Sequence, residues 1–262
     1  MTTTADRPSE PLGDAIASRL AGRSLILMLD VDGTLAPIAP RPEQAVVPLE
    51  TRRVVAALAA RSDVQVALVS GRAAADARRM VGVSNLWVVG NHGAETVGPD
   101  GELSIDPQVA PYRIPVAQAS RKLSSLVAPV PGVLVEDKTW TLSIHYRLAD
   151  PAVVPRLRVT VDAVAAALGL RVTEGKQVFE VRPPVHVNKG TAVLNLARQL
   201  GALDEEAGVL FAGDDATDED AFRLLRAQLP KAVTVKVGDA GTTAAEFSVQ
   251  DTVAVRHLLE TL

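Results

Sequence analysis

The chain has 262 residues, 47% of them hydrophobic and 22% charged, with a formal net charge of −4. That composition supports a sizeable core and excludes a disordered chain, and the acidic balance without a basic tract argues against nucleic-acid binding through phosphate neutralisation. The absence of cysteine rules out disulfides, iron–sulfur clusters, thiolate zinc sites and a cysteine nucleophile, and is compatible with a reducing cytoplasm.

Met1 to Pro11 reads as a loose tail without the apolar segment of a secretory signal, and no apolar run is long enough to span a bilayer. The expected setting is therefore cytoplasmic, with no membrane partner. Leu12 to Leu20 can form a short helix. Leu25-Ile26-Leu27-Met28-Leu29 is a pure apolar run, the pattern of a strand buried on both faces in a parallel sheet. It ends at once in Asp30-Val31-Asp32-Gly33-Thr34-Leu35. Ala36 to Pro48 carries four prolines, so it is expected to cross the site as an ordered, irregular loop. Leu49 to Ala60 is spaced as a helix. Val64 to Val69 is the next strand, ending in Ser70-Gly71-Arg72, and Ala73 to Met80 is helical again. Leu86 to Val89 is a third strand, ending in Gly90-Asn91-His92-Gly93-Ala94-Glu95. This alternation of strand and helix predicts a parallel sheet wrapped on both faces.

The pattern then changes. Gly98 to Gly101 is a turn between two short apolar pieces. Val116 to Val127 reads as a helix, Gly132 to Glu136 and Trp140 to Arg147 as strands, and Ala152 to Leu168 as a long helix. Leu170 to Glu174 and Gln177 to Arg182 form a hairpin around Gly175-Lys176. Short hairpins make this sheet largely antiparallel, so residues 107–186 are expected to be a separate inserted domain. Pro183-Pro184 marks the return. A helix opens at Asn188-Lys189-Gly190, and Val209 to Ala212 is a strand ending in Gly213-Asp214-Asp215. Asp218 to Leu225 is helical, Val233 to Val237 is a strand, and Asp251 to Leu262 is a closing helix. The core is thus expected over residues 1–106 and 187–262.

In an open α/β sheet the ligand crevice lies outside the carboxyl ends of the strands. Asp30, Asp32, Ser70, Lys189, Asp214 and Asp215 all fall at such ends or at a helix start. Taken singly, Ser70 is a common helix cap and the aspartates are ordinary turn formers. Lys189 in a first helical turn opposes the helix dipole, which favours a functional role. Residues 214–220 hold five carboxylates, whose mutual repulsion exceeds what capping recovers. A divalent cation is the simpler account, and oxygen-only ligands point to Mg²⁺.

The strings DVDGTL, VSGR, VNKG and GDDATDED resemble, in order, the four motifs of haloacid-dehalogenase-like phosphohydrolases. The last resembles more specifically the trehalose-6-phosphate phosphatase family, as do Gly90 to Glu95, Val135-Glu136-Asp137-Lys138 and Ser143 to Arg147. This resemblance runs from Leu25 to Leu262. It implies an α/β fold with a Rossmann-like parallel-sheet core and an inserted α+β cap that selects the substrate. Asp30 is then the nucleophile and Asp32 the general acid and later base. Ser70 and Lys189 hold the phosphoryl oxygens. Mg²⁺ is held by Asp30, the backbone carbonyl of Asp32, and Asp214, with Asp215 and Asp218 as further ligands or supports. Arg72, Asn91, His92 and Glu95 from the core, and Glu136, Lys138 and Glu180 from the cap, are the expected sugar-phosphate contacts.

The implied substrate is trehalose 6-phosphate. Sucrose 6-phosphate and mannosyl-3-phosphoglycerate are alternatives that keep the same mechanism. The implied assembly is a monomer, with association to a trehalose-phosphate synthase as an option. A phospho-accepting receiver module lacks the second acid and the insert, and a catalytically silent regulatory domain has no need of intact acids at positions 30, 32 and 214.

Overall fold

The computed structural model describes residues 10–202 and 207–262; most of the expected tail, residues 1–9, lies outside the described residues. The chain divides into two compact units, Met1–Ser104 with Asn188–Leu262, and Ile105–Val187.

The first unit opens with helix α1 (Leu12–Arg19) and strand β1 (Ser24–Leu29). It continues through α2 (Leu49–Ala59), β2 (Val64–Val69), α3 (Ala74–Val81), β3 (Trp87–Gly90), β4 (Glu95–Val97) and β5 (Leu103–Ile105). The second unit holds α4 (Arg113–Val127), β6 (Leu134–Asp137), β7 (Leu142–His145), α5 (Val154–Ala167), β8 (Arg171–Gly175) and β9 (Val178–Arg182). The first unit then resumes with α6 (Lys189–Gln199), β10 (Ala207–Gly213), α7 (Asp218–Gln228), β11 (Val233–Val237), β12 (Phe247–Val249) and α8 (Thr252–Leu259).

The core sheet has the order β12-β11-β10-β1-β2-β3-β4-β5, parallel from β12 through β3 and antiparallel at β3–β4. The apolar run at 25–29 lies at its centre, paired to β10 on one side and β2 on the other. Its side chains alternate between two cores. Leu25, Leu27 and Leu29 join α2, α3 and α8 residues such as Val55, Ala77 and Val255. Ile26 and Met28 join α6 and α7 residues such as Val193 and Phe222. A strand that buries both faces must be apolar at every position, which is why no alternation is visible in its sequence.

Connections leave β1 toward β2 in one direction, and β10 returns to its other side. The carboxyl ends of β10, β1 and β2 therefore meet at a topological switch point, where crevices form. Three short strands were not expected. β4 and β5 occupy the two apolar pieces around the 98–101 turn, and β12 extends the sheet edge. The 36–48 loop contains a single 3₁₀ turn, Pro42–Gln44.

In the second unit the sheet order is β6-β7-β9-β8, antiparallel throughout. Ile144, Phe179 and Val181 on one face pack against Val116, Leu123, Leu157 and Val161 of α4 and α5. No helix among the described residues is long and apolar enough to cross a membrane.

Helix α6 carries the site lysine and is held by a reciprocal cap. Asn188 Oδ1 accepts from Thr191 N at 2.9 Å, and Thr191 Oγ1 accepts from Asn188 N at 3.1 Å. Asn188→Ala is expected to cost about 1 kcal/mol of stability, read as a lower urea midpoint at unchanged slope.

Candidate active site

Asp30 continues the β1 ladder, its N–H donating to Ala212 O at 3.0 Å, so its side chain is aimed by the sheet itself. The chain then turns within four residues: Gly33 N donates to Ala36 O at 2.7 Å, with Gly33 at φ 91°. A Cβ at position 33 would lie 2.2 Å from Asp214 Oδ2, so the carboxylate from the end of β10 rests directly on this backbone. Only glycine satisfies both the positive φ and the close approach.

Lys189, 2% exposed, opens α6 and reaches into the same place. Its Nζ donates to Asp30 Oδ1 at 2.7 Å and to Asp218 Oδ1 at 2.9 Å. Asp218, fully buried, accepts through Oδ2 from the N–H groups of Asp214 and Asp215, both at 3.0 Å. Carboxylate oxygens of Asp30, Asp214 and Asp218 lie within 4.8 Å of one another. Asp30 Oδ2 is buried with no hydrogen-bond partner among the described residues.

These charges shift one another. Burial holds the Asp30 carboxyl well above the usual range; Lys189 opposes this, and Asp218, Asp215 and Asp214 add to it. Burial likewise pushes Asp218 up to about 7 against the pull of Lys189. Burial alone would lower Lys189, but Asp218 and Asp30 outweigh it and hold the lysine well above its ordinary value. At Asp215, burial is outweighed by Lys189 and by hydrogen bonds from Thr217 and Asp218, and the carboxyl is held low. Four acids stand here against Lys189 and against Lys236, which meets only the Asp214 backbone carbonyl, so acid groups outnumber the cations. A buried, unpartnered Asp30 oxygen beside Asp214 fits a hard divalent cation bound through oxygen.

Asp215 and Asp218, expected together as further ligands or supports, take different places. Its Oδ1 accepts from Thr217 N at 2.8 Å, Thr217 Oγ1 at 2.7 Å and Asp218 N at 3.2 Å, so it closes the turn before α7. Asp218, not Asp215, joins Asp30 and Asp214 in the oxygen cluster. The carboxylate of Asp32 is also engaged elsewhere. Both its oxygens accept from Arg72, Oδ2 from Nε at 2.6 Å and Oδ1 from Nη2 at 2.7 Å, while Nη2 also donates to Pro42 O at 2.8 Å. Arg72 therefore orients the second acid and ties the 36–48 loop to it.

Ser70 is buried at the end of β2, its Oγ accepting from Arg72 N at 3.1 Å. Asn91 and His92 follow β3 with φ of 50° and 54°, two consecutive non-glycine residues in the left-handed region, a strain that the surroundings must hold. Asn91 N donates to Arg72 O at 2.7 Å and His92 N to Ser70 O at 3.0 Å. Glu95 Oε1 accepts from Asn91 Nδ2 at 2.9 Å and from Ala74 N at 2.7 Å. Glu95 thus braces this turn and the start of α3 from inside. Lys236, near the end of β11, donates to the Asp214 carbonyl. It was not among the expected residues, although one charge at the end of the run Val-Thr-Val-Lys-Val is the kind of signal that marks such a position.

In the second unit, Lys138 Nζ lies 3.8 Å from Glu136 Oε2 and 3.7 Å from Glu180 Oε1. Lys138 and Glu180 are each 8% exposed. Glu174, by contrast, is an exposed partner of Arg158 and Tyr146.

Two measurements probe the buried charges. Lys189→Met leaves two buried carboxylates without their cation and should cost about 3–5 kcal/mol in urea unfolding with EDTA. Asp218 binds its proton more tightly folded, at about 7, than unfolded, so between the ordinary aspartate value and pH 7 the folded chain carries more protons. Metal-free wild type should therefore lose stability relative to Asp218→Asn as pH rises from about 4 to about 7. A flat difference in melting temperature across that window contradicts the assignment.

The trehalose-phosphatase family profile matches residues 28–252. The chain is 35% identical to a trehalose-phosphate phosphatase of Mycobacterium avium, over 99% of this chain and 68% of that protein. It is 32% identical to trehalose-phosphate phosphatase B of Arabidopsis thaliana, over 95% of this chain and 69% of that one. It is also 37% identical to an uncharacterized glycosyl hydrolase of Mycobacterium tuberculosis, over 79% of this chain but 16% of that protein's length. Among solved structures, the Candida albicans trehalose-6-phosphate phosphatase C-terminal domain superposes with a TM-score of 0.77 at 25% identity, covering 99% and 98% of the two chains. A trehalose-6-phosphate phosphatase related protein gives 0.80 at 28%, covering 90% and 96%. With the polar ends of β1, β2 and β10 gathered at one switch point and this similarity along the chain, the protein belongs to the trehalose-phosphatase family.

Proposed function

We propose that this chain hydrolyses trehalose 6-phosphate to trehalose and phosphate through an aspartyl-phosphate on Asp30, with Mg²⁺ as cofactor. The observation that carries the reading is the buried Asp30 carboxylate, with one oxygen on Lys189 and the other unpartnered, at the switch point of a parallel sheet. Asp30, Asp214 and the backbone carbonyl of Asp32 would hold the cation, and Asp218 fixes the Asp214 backbone. The bound cation supplies positive charge against the phosphoryl oxygens and Asp30.

Asp30 attacks phosphorus and the bond to the sugar oxygen breaks, which splits one difficult hydrolysis into two steps. Asp32 gives its proton to the departing oxygen, then takes one from the water that cleaves the acyl phosphate. Since both Asp32 oxygens rest on Arg72, the acid step requires that carboxyl to turn from the arginine toward the substrate. Lys189 and the Ser70 hydroxyl stabilise charge on the phosphoryl group as it transfers. The inserted unit, through Glu136, Lys138 and Glu180, recognises sugar hydroxyls, and the partner is a small sugar phosphate rather than nucleic acid. A chain free of cysteine suits work in the cytoplasm.

The test is phosphate release from a panel of trehalose 6-phosphate, sucrose 6-phosphate, mannosyl-3-phosphoglycerate and p-nitrophenyl phosphate, with Mg²⁺ or EDTA. Trehalose 6-phosphate is expected to lead, and EDTA to abolish turnover. Asp30→Asn should lower kcat by at least about three orders of magnitude, while Asp32→Asn retains labelled phosphate on the protein. Preference for another ester defeats the substrate assignment, and full activity in Asp30→Asn defeats the mechanism.

A further inference from the structure

The inserted sheet carries a polar row on the face opposite its apolar core, with Ser143 and Glu180 buried and Glu136 and His145 partly exposed. Glu136 on β6 stands opposite Ser143 on β7, and Ser143 stands opposite Glu180 on β9. Their neighbours along the strands, Val135, Ile144 and Phe179, point into the core beneath α4 and α5. His145 lies two residues beyond Ser143 and so shares its face.

Each carboxylate is held from β7. Ser143, fully buried, donates from Oγ to Glu180 Oε1 at 2.7 Å. His145 Nε2 lies 2.8 Å from Glu136 Oε2; a carboxylate only accepts, so that nitrogen carries the proton. Lys138 sits 3.7 Å and 3.8 Å from the same two oxygens, too far for a direct hydrogen bond. Glu180 Oε2 is buried and has no hydrogen-bond partner among the described residues. A buried, unmatched acceptor beside an ammonium would turn to meet it unless something held the carboxylate back.

The backbone of Lys138 enters a tight turn. Thr139 takes φ 76°, uncommon for a β-branched residue, with Thr139 N on Asp137 Oδ1 at 2.8 Å and Trp140 N on Lys138 O at 2.9 Å. The turn fixes the backbone of Lys138 just past the end of β6, the strand that carries Glu136, while Glu180 comes from β9.

We propose that Ser143 and His145 are positioning residues that keep Glu180 and Glu136 from collapsing onto Lys138, so that Glu180 Oε2 remains an acceptor for a sugar hydroxyl and Glu136 keeps a fixed orientation. This rests on the reading that the inserted unit recognises the sugar. It assigns selectivity to two side chains that act through the contacting acids and do not touch the substrate.

The test uses the full-length protein and the sugar phosphate it turns over fastest in the panel, with p-nitrophenyl phosphate as the small ester. The reading is the ratio of kcat/KM for the sugar phosphate to kcat/KM for the aryl ester, with KM and kcat resolved. Ser143→Ala and His145→Leu are expected to lower that ratio about tenfold through KM, with kcat for the sugar phosphate within about twofold. His145→Gln, whose amide can donate from nearly the same place, should recover most of the loss. In a Glu180→Gln background, Ser143→Ala should change the ratio by no more than about twofold, because its partner is already altered.

An unchanged ratio in Ser143→Ala and His145→Leu overturns the proposal, even if melting temperatures fall. A loss that His145→Gln does not recover, or a full tenfold effect of Ser143→Ala beside Glu180→Gln, also overturns it. If leucine at 145 unfolds the sheet, Ser143→Ala, which removes one oxygen, decides alone. Because the variants are read on whichever sugar phosphate the wild type prefers, a wrong substrate assignment and a failed positioning role give separate results.

Discussion

Everything at the core site depends on one ammonium placed where no lysine would sit for stability alone. Lys189 occupies the first turn of α6, where the helix dipole is positive, and it is almost wholly removed from water. Both facts act against a protonated amine. The two short contacts to Asp30 and Asp218 reverse the balance, and the lysine holds its proton more tightly than in water. Buried ion pairs of this kind are poor evidence of stabilisation, because desolvation offsets most of the attraction. Their persistence is better explained by what the field does to a bound group.

From that ammonium the remaining geometry follows. Asp218 can face Lys189 only because its other oxygen is held by the backbone N–H groups of Asp214 and Asp215. The same pair of bonds fixes the backbone from which Asp214 projects. Asp214 can reach Asp30 only because position 33 has no Cβ. Thus a helix start, a strand end and a glycine turn, distant in the chain, constrain one another through a few oxygen atoms. On the β2 side, Arg72 does the equivalent for Asp32, and the Asn91-His92 turn holds the backbone of Arg72 and Ser70 from below.

The parts legible in the sequence were those with a one-dimensional signature. A pure apolar run followed by paired acids identified β1 and its end, and hairpin spacing identified the inserted unit. Strands β4, β5 and β12 were not legible, because three residues carry too little periodicity and their pairing is decided by the neighbouring strand. The choice between Asp215 and Asp218 was not legible either. Both lie in one acidic run, three residues apart, and only the turn that Asp215 closes with Thr217 decides that Asp218 makes the short contact to Lys189 while Asp215 stands 4.0 Å from it. Arg72 was visible as a candidate, but its partner, forty residues earlier, is a tertiary fact. Lys236 was visible as a charge in an apolar strand, and its meaning became clear only beside the Asp214 carbonyl.

The two units bury their acids in different ways, and the difference bears on what each recognises. In the core, acid oxygens from three aspartates converge within 4.8 Å around a single ammonium, and the excess negative charge is concentrated in one place. Neutral donors cannot offset such a field; a small, highly charged cation can. In the insert, two glutamates also share one ammonium, but each is separately held by a serine or a histidine on the strand between them, and the ammonium stands off from both. That arrangement spreads the charge and leaves Glu180 with a fixed acceptor oxygen, which suits a neutral hydroxyl donor better than a metal.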